Sequence, residues 1–577
     1  MKIKAVVLSG VLLLASLFTA CGGHHSTPPP PPPTRAVVQA SQGSPMSYAT
    51  IIVTSEDSSI VNGMADVNGN FTIPSTGVTF PALVKAISVD GSRVYYGWVF
   101  DNTQATVPVN PLTSLVVTLG YNGNPAQVTT ASQISSGSLT SGEGAAKQIF
   151  STIFVQFGIQ QSIEVLSTSV APNHSGLDLL FDTMSIEFDP AGNPTICSKM
   201  SNVCKVLNLQ SLDTTPIQLS ANDTAVLNSV QPLFAPCSTM INNLSVTSLS
   251  TNASLYSSSF LNNGRTGAQY MAQAAGPFTG STVSFNTPTY AGTDSNGNHL
   301  FQFFAFSTTY NTYLATITLP MNVENGNCVF EGNKLPFTLS ARSTVWNQVR
   351  VDGAGTPQNT TSGPVAGLYF QASSGLGTPM YGTTAVASVS FQYGSGTPVV
   401  MTLDSTRNAF YLANHVVPIV KYSDLGIMSA AQFYNGNANP VKVVLLDSNQ
   451  QPLATFNLKA SGGYTSDPSL LVAANLPALT SPGDLLSQSS VTSGTVNYTV
   501  PNGFVASNLY LFSQEPTDLQ VGIGGQTILS TTSGSIPGYT ISSSATYRAL
   551  MYDSYTSGGL IGVTTKYVYA PNCPDCL

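Results

Sequence analysis

The densest group of side chains able to do acid–base or metal chemistry lies between residues 174 and 189: His174, Asp178, Asp182, Glu187 and Asp189. Asp178 and Asp182 are four apart, so on a helix they share a face. Paired carboxylates can act as the acid and base of glycoside hydrolysis, or hold a cation. The same residues have a structural reading, which is favoured. Asp178 follows Gly176 in what would be the first turn of a short helix, where a negative charge meets the helix dipole. His174 then suits a capping or loop role just upstream.

Elsewhere the equipment for chemistry is thin. Outside the N-terminal tether the histidines are His174, His299 and His415, far apart in sequence. A Ser-His-Asp triad would have to be assembled by folding. The Gly-x-Ser-x-Gly elbow, the His-Glu-x-x-His zinc pattern and the P-loop are absent. Asp294-x-Asn296-x-Asn298 opens like a calcium loop, but His299 stands where glycine is needed and Ala305 where glutamate is needed. A hairpin turn is expected there, and neither a metal nor a cofactor is expected in the chain.

Of the seven cysteines, Cys21 stands directly after the N-terminal leader. The other six, Cys197, Cys204, Cys237, Cys328, Cys573 and Cys576, are an even set that suggests disulfides in an oxidising compartment. The sequence does not fix the pairing. Favoured are Cys197–Cys204 across a short hairpin, Cys237–Cys328 closing a long loop, and Cys573–Cys576 at the tail. The last pair has redox spacing, but only Leu577 follows, so no helix can lower a thiol pKa. Zinc there would need two further ligands.

The elements that must position these groups can be read from composition and pattern. Hydrophobic residues are 42% of the chain, enough for packed cores, and charged residues only 8%, against about 25% in ordinary soluble domains. Hydroxyl and amide side chains must supply the wet surface, and these suit strands and turns. The net charge is −8 with 18 Lys plus Arg, spread thinly, so nothing is built to neutralise phosphates and nucleic-acid binding is disfavoured. Residues 35–125 alternate strand-like runs with turns, including the hairpin signal Asn68-Gly69. Residues 126–275 are mainly helical. Helices are expected over Glu143–Phe157, Gln161–Ser169 and Leu177–Asp182, and again between Ala221 and Ala275 with breaks near Pro236, Asn242-Asn243 and Asn263-Gly264. A small meander is expected over Ser185–Leu207. Strands return over 276–375, 376–487 and 488–577, with turns at Asn296-Gly297 and Asn325-Gly326. The expected fold is mainly β and multidomain: a sandwich, a helical or mixed middle section, then further β-sandwich domains.

The N-terminus carries an address. Lys2 and Lys4 precede an apolar run, Ala5–Thr19, that is shorter than the roughly 20 residues needed to cross a bilayer. Phe18 disfavours ordinary signal cleavage before Cys21. Leu17-Phe18-Thr19-Ala20-Cys21 instead resembles a bacterial lipobox, with Leu17 one place earlier than that family prefers. The resemblance implies a signal peptide over 1–20 and a diacylglyceryl group on Cys21. Gly22, in place of Asp, implies outer-membrane sorting. Residues 21–34 contain six consecutive prolines, Pro28–Pro33, a stiff extended tether. His24 and His25 lie in it and read as linker.

Two further resemblances follow. "ADVNGNFTIP" with "PALVKA" resembles the transthyretin-like, carboxypeptidase regulatory-like domain, a small β-sandwich that carries no catalytic residues. "VNPLTSLVVTLG" (Val109–Gly120), "NHSGLDLLFD" (Asn173–Asp182) and "FLNNGR" (Phe260–Arg265) resemble segments of uncharacterised Gram-negative lipoproteins. Together they imply a lipid-anchored protein of the bacterial envelope, periplasmic or surface-exposed, and the modular β architecture, low charge and absence of a catalytic motif make a non-catalytic binding or structural role the expectation. Its partner would be another envelope protein, a polysaccharide or a host surface. The alternative is an envelope hydrolase, acting on polysaccharide or peptide, that uses the carboxylates from Asp178 to Asp189.

Overall fold

The computed structural model describes residues 36–569 apart from internal stretches, the longest being 428–440 and 461–475. Cys21, Asp189, His415, Cys573 and Cys576 lie outside the described residues. The protein is mainly β, with several sheets and a helical middle section.

The first unit is a β-sandwich. β1 (Val37–Ala40), β4 (Asn70–Thr72) and β7 (Thr106–Val109) form one sheet, in the order β4-β1-β7. β2 (Thr50–Ser55), β3 (Ile60–Met64), β5 (Ala82–Ile87) and β6 (Val94–Val99) form the other, in the order β3-β2-β5-β6. Period-2 alternation sends Val38, Ala40, Ile51, Val53, Val84 and Ala86 into the space between the sheets. The opposite face of β5 and β6 carries Leu83, Ile87, Val94, Tyr96 and Trp98, and this face is buried too. It packs on the helices that follow, in a core that runs on to Phe330.

The Asn68-Gly69 turn is present. Asp66 Oδ1 accepts from the backbone N–H groups of Asn68 and Asn70, and Gly69 has φ +76°. It does not close a hairpin, however. β3 pairs with β2 and β4 with β1, so the turn carries the chain from one sheet to the other.

Immediately after β7 comes α1 (Pro111–Tyr121), a helix within a stretch that reads as strand in the sequence. Asn110 and Thr113 form a reciprocal capping box, Pro111 takes the first helical position, and Asn122 ends the helix in the left-handed region. α2 (Ser136–Ile149) and α3 (Ser151–Gln156) cover the expected helix at 143–157, divided at Phe150. Residues 161–169 hold turns instead of the expected helix. α4 (Gly176–Thr183) leads straight into the meander β8 (Met184–Phe188), β9 (Pro194–Ser198) and β10 (Cys204–Val206). α5 (Ala221–Asn242) runs unbroken through Pro232 and Pro236, against the expected break. Two short helices, α6 (Val246–Thr251) and α7 (Gly267–Ala274), close the section.

A five-stranded antiparallel sheet over Val283–Phe330 lies against α5. Its last two strands, Thr312–Glu324 and Asn327–Phe330, meet in a two-residue turn with Asn325 at φ +51° and Gly326 at φ +82°, the primed geometry that matches strand twist. Beyond it, a twelve-stranded sheet spans Thr338–Tyr569. In it Thr338–Arg350 pairs antiparallel with Val365–Ser373 and parallel with Gly562–Tyr569. Its own core holds Phe337, Phe370, Phe391, Val443 and Leu445.

Among the described residues two disulfides are formed. Cys197–Cys204 joins facing residues of β9 and β10, and Cys237–Cys328 ties α5 to the strand Asn327–Phe330. Both are pairs favoured from the sequence. The third, Cys573–Cys576, falls outside the described residues.

Candidate functional site

α4 brings the sequence-predicted carboxylates together with the histidine upstream. The helix begins after a tight turn in which His174 and Gly176 both have φ +56°. Asn173 Oδ1 accepts from the backbone N–H and the hydroxyl of Ser175. The backbone N–H of His174 donates to Asp178 Oδ2 at 2.6 Å, so the carboxylate caps the turn that precedes its own helix. One turn further on, Asp182 projects from the same face. Its Oδ2 lies 2.8 Å from His174 Nδ1.

The other ring nitrogen, Nε2, lies 2.7 Å from Ser238 Oγ on α5. Phe234, one helical turn before Ser238, stacks on the imidazole with ring centroids 4.8 Å apart and planes within 9°. Residues from two helices and the turn before α4 therefore form an unbroken chain, Asp182–His174–Ser238. From the sandwich side, Gly43 sits over Asp182. With φ +94° it favours glycine, and a Cβ there would lie 3.2 Å from Asp182 Oδ1. Lys199, directly after β9, completes the surroundings. Its Nζ donates to the carbonyls of Phe181 at 2.6 Å and Tyr290 at 3.1 Å.

The cluster is interior. Side-chain exposure is 11% for His174, 1% for Asp178 and 0% for Asp182. Its ionisation is shifted accordingly. Burial, reinforced by the neighbouring Asp182 charge, pushes Asp178 up to about 7. For His174, burial pulls the pKa down, but the hydrogen bond and charge of Asp182 outweigh it and the net direction is up. Burial pulls Lys199 down to about 8, against the pull of Asp182. Asp178 Oδ1 and Asp182 Oδ1 have no hydrogen-bond partner among the described residues. A cleft of about 470 Å³ runs alongside, lined by Ile159, Ile163, Val170, Asn173, Leu177 and Asp178 among others.

Of the remaining sequence candidates, Glu187 stands apart on β8, 3.9 Å from Arg93 Nη1. Burial raises its pKa, opposed by Arg93. Asp189 is outside the described residues. His299 lies on another strand, 3.1 Å from Ser229 Oγ. Asp294 and Asn298 form a hairpin turn, with Asp294 Oδ1 accepting from the N–H groups of Asn296 and Asn298. Sequence reasoning missed Ser238, Phe234 and Lys199. For the first two the available signal was their i, i+4 spacing on one face of a helix, and for Lys199 there was none.

No family model matches the chain, and no curated protein matches it. Among solved structures, a tetra-tandem repeat from the extending region of a large adhesion protein aligns over 93% of this chain and 99% of its own, at 12% identity and a TM-score of 0.12. Zebrafish RET cadherin-like domains 1 to 4 align over 57% of this chain and 75% of their own, at 10% identity and a TM-score of 0.09. Similarity at that level supports no statement about topology or function.

Proposed function

We propose that this chain is an exported, lipid-anchored protein of the bacterial envelope whose folded part is a non-catalytic binding or structural module. The observation that carries the non-catalytic half is the closure of the His174–Asp178–Asp182 cluster. Its carboxylates are buried, its imidazole is covered by Phe234, and its hydrogen bonds join α4 to α5 beneath the Gly43 turn. Such a cluster acts as a seam between elements. Anchoring is supported by the lipobox-like Leu17–Cys21 and the proline tether, and export by the two disulfides. The partner is an envelope protein, a polysaccharide or a host surface.

One observation favours a second reading. Asp182–His174–Ser238 has the connectivity of a serine-hydrolase relay, with a carboxylate on one ring nitrogen and a hydroxyl on the other. The placement of Ser238 argues against it. Ser238 lies four residues before the end of α5, where backbone N–H groups are already committed within the helix. The dipole end nearby disfavours the negative charge that an oxyanion would develop. Treating the full chain with a fluorophosphonate probe, then mapping peptides, tests the choice. No adduct at Ser238 is expected. An adduct lost in His174→Asn, or turnover of a peptide or glycan lost in a folded Asp182→Asn variant, would overturn the non-catalytic reading.

A further inference from the structure

We propose that His174, Asp178 and Asp182 hold one divalent first-row metal ion of the zinc type, with Ser238 orienting the imidazole. The inference rests on reading the cluster as a closed seam, which the ion would clamp. One ligand atom from each of the three side chains can be chosen so that all lie within 4.8 Å of one another. His174 Nδ1 stands 2.8 Å from Asp182 Oδ2 and 4.0 Å from Asp178 Oδ2. These distances straddle the separation of about 3.4 Å that tetrahedral zinc with bonds of about 2.1 Å imposes. Small side-chain adjustments reach it.

Two other features point the same way. Each carboxylate keeps an oxygen without a hydrogen-bond partner among the described residues, on side chains that are 1% and 0% exposed. Leaving such oxygens, the Oδ1 atoms, bare costs free energy, and a cation bound through both oxygens of each carboxylate would remove that cost. The outer nitrogen of the histidine is held by a hydroxyl at 2.7 Å, and an outer-shell contact on that nitrogen fixes the ring of a metal-ligating imidazole. Two carboxylates and a neutral imidazole match the charge of a divalent ion, although the Lys199 ammonium, hydrogen-bonded to the carbonyls of Phe181 and Tyr290, also acts on both carboxylates. One nitrogen and two carboxylates suit zinc or its first-row neighbours better than calcium, which takes six to eight oxygens.

The test uses the full oxidised chain in detergent, stripped with a chelator, with His24→Asn and His25→Asn in every sample to silence the tether. Calorimetric titration with ZnCl2 should show one saturable site, and ZnCl2 should raise the melting temperature. Asp178→Asn should abolish both effects. Ser238→Ala should keep the fold and weaken zinc about 10- to 100-fold, the usual cost of losing an outer-shell partner. Absence of saturable uptake by the parent chain would overturn the proposal, whatever the variants do. So would uptake unchanged in Asp178→Asn, or an equal melting shift with CaCl2. Failure to bind zinc would leave the non-catalytic reading standing, whereas a Ser238 adduct would remove that reading and leave the zinc titration to stand alone.

Discussion

Removing the Cys237–Cys328 bond is the most quantitative perturbation the fold offers. The bond closes a loop with a sequence separation of 91, against 7 for Cys197–Cys204. In the chain-entropy treatment these loops correspond to about 4.6 and about 2.5 kcal/mol of restriction on the unfolded chain. The long loop also carries structural weight. Cys237 and Cys328 are both buried, and the bond pins α5 against the sheet whose phenylalanines complete the core around Phe234. The double variant Cys237→Ala/Cys328→Ala avoids leaving buried hydroxyls and should lose about 4–5 kcal/mol. The control Cys197→Ala/Cys204→Ala should lose about half as much. Urea denaturation without reductant, read by tryptophan fluorescence, measures both, since Trp98 is buried in the same core. If the long-loop variant lost no more stability than the short-loop one, restriction of the unfolded chain would be refuted as the source of the effect.

Two other outcomes follow from the cluster and from helix packing. An acid whose pKa is raised on folding stabilises most below its ordinary value, and the contribution is lost as pH rises through the folded value. With Asp178 moved from 3.8 to about 7, metal-free protein should lose on the order of 2–4 kcal/mol between about pH 4 and pH 7. The raised His174 acts in the same direction above its ordinary 6.5. Asp178→Asn should therefore be more stable than the parent at alkaline pH in EDTA, with the difference vanishing towards about pH 4. Denaturation across that range would refute this if the variant were weaker throughout. Separately, a Cβ at Gly142 would stand 2.7 Å from the Val116 carbonyl and 2.8 Å from the Gly120 nitrogen. Gly142→Ala must therefore separate α1 from α2, at a cost of about 1–3 kcal/mol visible as a lower melting temperature.

Turn signals and one long disulfide were legible in the sequence, while helix against strand and most long-range contacts were not. Asn325-Gly326 announced its hairpin because only residues at ease with positive φ fit that turn. Asp178 and Asp182 announced a shared face by spacing alone, and the two favoured pairs Cys197–Cys204 and Cys237–Cys328 are the ones formed. α1 was hidden because Thr, Val and Leu in Pro111–Tyr121 also suit a strand, and what decides for helix is the Asn110–Thr113 cap and burial against β6. Pro236 did not break α5, because the packing of that helix on the Thr312–Phe330 hairpin and the neighbouring Cys237 bond outweigh one lost hydrogen bond. Gln161–Ser169 has helical composition but spends its backbone on turns, and the carboxylate of Glu143 accepts from Val165 N–H. Ser238 reached His174 from 64 residues away, a contact that no local pattern encodes.

The proposed address and anchoring rest on Cys21, and the mass of the mature N-terminal peptide tests them most directly. Protein recovered from isolated membranes should begin at Cys21 and carry a diacylglyceryl group, and Cys21→Ser should release the chain or stall its processing. A mature chain that begins at Cys21 without acylation, or that keeps residues 1–20 while functioning in the envelope, would contradict the account.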